Sequence, residues 1–140
     1  MSMKQIFAIL FLLCMTAPVW SQQDADIKKN TKLLVYYFHI TNRCQTCTKI
    51  EATTKKILEQ DYKTQIENGT IIFKSFNVDL PENKDLVKKY QAYGATLAFN
   101  YVVSEKEAGI EDLTGMAFSK INNEALFTKE LKAKIDEALM

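Results

Sequence analysis

The stretch KLLVYYFHITNRCQTCTKI, residues 32 to 50, joins two patterns that belong to different backbone geometries. KLLVYYFHI is continuously apolar and rich in β-branched and aromatic residues, as expected of a central strand buried on both faces. From Cys44 the pattern changes. Ile50, Ile57, Leu58 and Tyr62 recur at helical spacing with Lys49, Lys55, Lys56 and Glu59 between them, which predicts an amphipathic helix of about four turns. The pair Cys44 and Cys47 falls at the junction of the two.

Outward from that junction the chain alternates. TIIFKSFNV (70–78) reads as a strand after the break at ENG (67–69). LPENKDLVKKYQ (80–91) reads as a helix, with Pro81 tolerated in its first turn and acids ahead of lysines, as the helix dipole favours. ATLAFNYVV (95–103) is a third strand, SEKEAG turns the chain, and IEDLTGM (110–116) is short enough to be a hairpin partner. NNEALFTKELKAKIDEALM ends the chain as a helix capped by Asn122 or Asn123, with Leu126, Leu131, Ile135, Ala138 and Leu139 as its apolar stripe. The order is strand, helix, strand, helix, strand, strand, helix. The first helix is a crossover between neighbouring parallel strands. The predicted fold class is α/β: the thioredoxin fold (βαβαββα), with a central mixed four-stranded sheet and helices on both faces.

The first 21 residues read differently. Lys4 precedes an apolar run from Ile6 to Met15, and Val19 and Ser21 are small enough to be recognised for cleavage after Ser21. This is a secretory signal peptide. The run is shorter than the ~20 residues of a comfortable membrane span, although retention as an N-terminal anchor stays open. Lipid attachment at Cys14 is disfavoured by Leu13 before it. Residues 22–31 form a polar flexible leader, and 32–140 the domain. Of the 18 basic residues Lys4 is lost with the signal, leaving 17 against 17 acidic. A formally neutral chain implies no basic face, so nucleic acid is not an expected partner. Cys14 is lost too, so two cysteines remain, in an exported setting that permits a disulfide. The expected location is the bacterial periplasm or cell envelope.

A Cys-x-x-Cys pair at a strand-to-helix junction brings its Cα atoms within ~5.5 Å, close enough for a disulfide. It exposes the first sulfur and tucks the second behind it. It also sets Cys44 at the positive end of the helix dipole, which favours a thiolate. Arg43, the only arginine, adds positive charge next to it. His39, the only histidine, ends the strand and is a candidate proton-exchange partner. A purely structural disulfide across two residues would constrain the unfolded chain very little. A structural zinc site needs four ligands, and two cysteines and one histidine do not supply them. A copper chaperone with this motif would be a shorter domain with a different element order. No metal and no cofactor is expected.

Residues 32–140 resemble the thioredoxin-like superfamily. FNVDLPENKDLVKKYQAYGATL (76–97) looks like the thioredoxin stretch running from the second strand to the loop that faces the active site, which implies a substrate-facing loop at Gly94, Ala95 and Thr96. VYYFHITNRCQTC (35–47) is similar to a bacterial family of small exported thioredoxin-like proteins labelled nitrophenyl compound nitroreductase subunit ArsF, some of which are linked to arsenic resistance. Three departures from thioredoxin stand out. Gln45 and Thr46 replace the usual Gly-Pro, no proline lies at Ala95 or Thr96 where a cis-proline is expected, and LLVYYFHI holds no buried acid. Nitro reduction requires a flavin or redox metal; with no glycine-rich cofactor loop, this chain would at most supply electrons to such a step.

The expected function is thiol–disulfide exchange with partner-protein thiols and disulfides, by a monomer. Cys44 is the nucleophile and Cys47 the resolving residue. A membrane thiol–disulfide transporter of the cytochrome-c-biogenesis type is the natural electron donor. The alternatives are dithiol binding of arsenite or copper(I) and a redox-inert interaction module.

Overall fold

The computed structural model describes residues 31 to 140. Residues 1–21, read from the sequence as a signal peptide, and residues 22–30 of the expected leader lie outside the described residues; Thr31, expected to end that leader, opens the first strand. The elements are β1 (Thr31–His39), α1 (Gln45–Asp61), α2 (Lys63–Glu67), β2 (Ile71–Asn77), a 3₁₀ turn (Pro81–Asn83) running into α3 (Lys84–Tyr90), β3 (Thr96–Val103), β4 (Lys106–Asp112), α4 (Thr114–Lys120) and α5 (Glu124–Leu139).

The sheet order is β2-β1-β3-β4. β1 and β2 run parallel, with Tyr37 opposite Ser75 and His39 opposite Asn77. β3 is antiparallel to β1, pairing Thr96 with Phe38, and β4 is antiparallel to β3. A parallel βαβ unit followed by an antiparallel hairpin and a final helix is the thioredoxin fold, as the sequence predicts.

The alternation of β1 explains both faces. Leu33, Val35 and Tyr37 pack with Ile50 and Ile57 of α1 and with Phe127, Leu131 and Ile135 of α5. Phe38 looks the other way, with Tyr36 beside it, against Tyr90 at the end of α3 and Phe76 of β2. A strand with both faces covered must be apolar throughout, which is why this run lacks the usual polar alternation.

Two boundaries differ from the sequence reading. The hairpin turn is only Ser104–Glu105, both at positive φ, so β4 starts at Lys106 rather than Ile110. Positive φ at both central positions matches the twist of a two-residue hairpin turn. β4 is an exposed edge, so its polar sequence costs nothing there and resembles a loop. Its C-terminal part also breaks off earlier: Thr114–Lys120 is a helix, not strand. Leu113, Ala117 and Ile121 are fully or nearly fully buried at a spacing of four, and they pin that helix to the core.

Candidate redox site

β1 ends at His39, and α1 begins at Gln45 after a short loop. That loop is tied down on one side by the end of β2 and by Asp79 just past it. Thr41 N–H donates to Asp79 Oδ2 at 2.7 Å, and Asn77 Nδ2 donates to Thr41 Oγ1 at 3.1 Å. The hydrogen bonds with Thr41 hold the Asp79 carboxyl below its ordinary range.

Cys44 is the N-cap of α1. It has extended backbone, and its Sγ accepts the Cys47 backbone N–H at 3.0 Å. A sulfur here occupies the place of the usual capping oxygen and satisfies one of the helix's free N–H groups. No acid lies in the first turn of α1 to oppose a negative charge on it. Cys44 and Cys47 are joined in a disulfide, with Cα atoms 5.1 Å apart. The two residues differ in access: Cys44 is exposed, while Cys47 is only 9% exposed and belongs to the buried core.

Arg43 lies half-buried, ion-paired with Glu51 one helical turn past Cys47. Its guanidinium also sits over the Tyr37 ring, 5.8 Å from the centroid. Burial would raise the Glu51 carboxyl, but hydrogen bonds with Ser75 and Arg43, together with the Arg43 charge, outweigh it and hold the group below the ordinary value. The positive charge expected beside Cys44 is therefore present but shared with a carboxylate. Tyr37 is fully buried and donates its hydroxyl to the Cys47 carbonyl at 2.8 Å. Burial pushes its phenol up to about 12, so it remains a donor at any physiological pH.

His39 is half-buried, with Nδ1 3.0 Å from the Ile40 carbonyl oxygen. Among the described residues its side chain makes no hydrogen bond to either cysteine. Thr96 opens β3 beside Phe38, hence at the same end of the sheet as the cysteine loop. It is 8% exposed and donates through Oγ1 to the Gly94 carbonyl at 3.3 Å, while Gly94 and Ala95 are half-buried. No cis peptide bond occurs among the described residues. Among those residues, too, no cluster of three or more metal-ligating side chains forms.

Sequence reasoning singled out Arg43, Cys44 and Cys47, and the fold brings these together. It passed over Tyr37 and Glu51. Tyr37 is hidden in an apolar run that reads as core. Glu51 carries one faint signal, its place four residues after Cys47 on the same helix.

No family model and no curated protein matches the sequence. Among solved structures, the chain is similar to the germline-specific thioredoxin Deadhead of Drosophila melanogaster, at 19% identity over 75% of this chain and 88% of that one, with a TM-score of 0.43. It is similar to Fasciola hepatica thioredoxin at 18% identity over 74% and 92%, with a TM-score of 0.40. Thioredoxin from Trypanosoma brucei brucei is similar at 22% identity over 76% and 86%, with a TM-score of 0.38.

Proposed function

We propose that this protein is an exported thiol–disulfide exchange protein that passes electron pairs through Cys44 and Cys47. The observation that carries the reading is the asymmetry of the pair. One sulfur belongs to an exposed helix N-cap and accepts a backbone N–H there, and its partner is buried one turn behind. That arrangement suits a nucleophile and a resolving thiol.

The reaction balances without a cofactor. In the reduced protein the Cys44 thiolate attacks one sulfur of a partner disulfide. The partner's S–S bond breaks, its second sulfur leaves as a thiolate, and a mixed disulfide forms. Cys47 loses its proton and attacks the Cys44 sulfur. The mixed bond breaks, the partner leaves as a dithiol, and this chain is left oxidised. Two electrons have moved to the partner. The reverse sequence oxidises a partner.

In this reading Gly94, Ala95 and Thr96 offer backbone to the substrate chain, as an exposed strand edge would. Arg43 and His39 act on the charge of the site. Export is supported by the N-terminal sequence, and electrons then come from across a membrane through a thiol–disulfide transporter. The similarity of residues 35–47 to the ArsF-type family of small exported thioredoxin-like proteins supports an electron carrier with a dedicated partner.

Equilibration of the full chain in glutathione buffers of graded ratio, with acid quench and thiol counting by mass, tests the reading. A two-electron transition between dithiol and disulfide supports it. A pair that never exchanges overturns it. Tight arsenite binding by the reduced form without exchange would put a dithiol ion-binding function in its place.

A further inference from the structure

Three side chains close a ring of contacts around the cysteine turn. Tyr37 rises from β1 with its ring wholly buried and its hydroxyl on the Cys47 carbonyl, 2.8 Å away. The Arg43 guanidinium lies over that same ring, 5.8 Å from its centroid. Arg43 is in turn paired with Glu51, one turn beyond Cys47 on α1, and Glu51 has Ser75 as a hydrogen-bonding neighbour. Ser75 is the register partner of Tyr37 on β2. Residues 43 and 47 bracket the redox turn, and both rest on one side chain.

We infer that Tyr37 is the positioning residue of the cysteine pair, holding the turn from Arg43 to Cys47 closed when the disulfide is open. The inference rests on the exchange reading above. Tyr37 acts on the pair through the Cys47 carbonyl and through Arg43.

The disulfide and the dithiol place different demands on this hold. In the oxidised protein the S–S bond itself keeps residues 44 and 47 together, and the contacts with Tyr37 are redundant for that purpose. Reduction removes the covalent link from the first turn of a helix, where the leading N–H groups lack intrahelical partners and the backbone frays most easily. The Tyr37 hydroxyl then fixes the backbone of Cys47 to the sheet. A carbonyl oxygen has two lone pairs, so it can accept the phenol beside its ordinary helical bond. The closed turn keeps the Cys47 thiol next to the Cys44 sulfur. That proximity is an effective concentration, and it governs how fast a mixed disulfide is resolved and how stable the ring-closed disulfide is.

Tyr37→Phe tests this, because it removes the hydroxyl and keeps the ring that fills the core and carries Arg43. The loss of one net hydrogen bond corresponds to about threefold to tenfold in a rate or equilibrium constant. Reduced full-length protein is mixed with oxidised glutathione, acid-quenched at intervals and weighed. The glutathione adduct at Cys44 is expected to accumulate and to decay about threefold to tenfold more slowly than in the unchanged protein. The equilibrium constant for disulfide closure is expected to fall by the same factor, and tenfold is about 30 mV for a two-electron couple. The iodoacetamide reactivity of Cys44 should stay put. Arg43→Gln removes the other hold on the same ring and should slow resolution in the same direction, which keeps the test available if Tyr37→Phe is poorly stable. A merely structural tyrosine would lower stability in urea while leaving adduct lifetime and closure constant unmoved, and that result overturns the inference. Exchange in the unchanged protein with an identical Tyr37→Phe profile defeats the positioning role alone. An unchanged protein that forms no adduct defeats the exchange reading and the inference with it.

Discussion

Arg43→Ala separates the structural load on the Arg43–Glu51 pair from its charge. The two side chains are 26% and 18% exposed, between a surface pair and a buried one. Exposed pairs contribute about 0–1 kcal/mol, whereas truncating one partner of a buried pair costs about 3–5 kcal/mol because the other charge is stranded. A deficit of about 2 kcal/mol near pH 7 follows from that intermediate exposure. In the unchanged protein Glu51 lies below its ordinary value, despite burial, because Ser75 and Arg43 hold its charged form. A carboxyl depressed on folding contributes stability above its unfolded value, and that contribution is lost as pH falls through the folded value. In Arg43→Ala the Ser75 hydrogen bond and the smaller effect of His39 are what remain to oppose burial, so Glu51 moves up and protonates earlier on acidification. A neutral Glu51 no longer suffers from the missing arginine. The deficit should therefore be largest at neutral pH and shrink as pH falls through the carboxylate range, around pH 4. Urea unfolding of the oxidised protein and variant at about pH 7 and about pH 3.5, either side of that range, measures it. With an m-value of about 1–2 kcal/mol per molar for a domain this size, the neutral-pH midpoints should differ by about 1–2 M. Equal deficits at the two pH values, or none at neutral pH, would mean that Arg43 does not stabilise the fold through the Glu51 charge.

Glu51→Gln should act on the nucleophile with the opposite sign to Arg43→Ala. It frees the guanidinium charge beside Cys44, so alkylation of Cys44 near neutral pH should speed up in a Cys47→Ser background, whereas Arg43→Ala should slow it; matching rates would show that neither charge reaches the sulfur. Asn123 caps α5 by accepting the Leu126 N–H at 3.1 Å, and Asn123→Ala should cost about 1 kcal/mol in urea unfolding, with no loss if that cap is idle. Intact mass of protein from its native compartment should give a chain beginning at or near Gln22, and a retained Met1 or lipid on Cys14 would contradict release of a soluble chain by cleavage after Ser21.

β1 and α1 are legible in the sequence because burial on two faces and on one stripe leave different apolar periods, and the cysteine pair marks the point where one gives way to the other. The end of the hairpin is not. Ser104 and Glu105 take up positive φ without the glycine or asparagine that usually signals it, and Gly109, which does suggest a turn, lies inside β4. The short helix α4 escapes notice because Leu113, Ala117 and Ile121 mark only two turns, too few for periodicity to outweigh a strand-like start. At the site, Cys44, Cys47 and Arg43 follow from spacing and charge. Tyr37 and Glu51 do not. Their roles depend on β1 lying under α1 and on the loop folding back over both, and no local pattern encodes a contact between residues 43 and 51 or between 37 and 47.

Mixed-disulfide trapping with variants that lack one cysteine of the pair decides whether Cys44 attacks and Cys47 resolves. After removal of residues 1–21 and Cys14 with them, Cys47→Ser leaves the exposed Cys44 free to attack and nothing to resolve the product, while Cys44→Ser leaves only a buried thiol. Both variants, expressed as the full chain and recovered after alkylation without reductant, are compared by non-reducing electrophoresis and mass. Cys47→Ser is expected to form stable, reductant-sensitive partner adducts, and Cys44→Ser few or none. Comparable adducts from both variants, or adducts confined to Cys44→Ser, would contradict those roles.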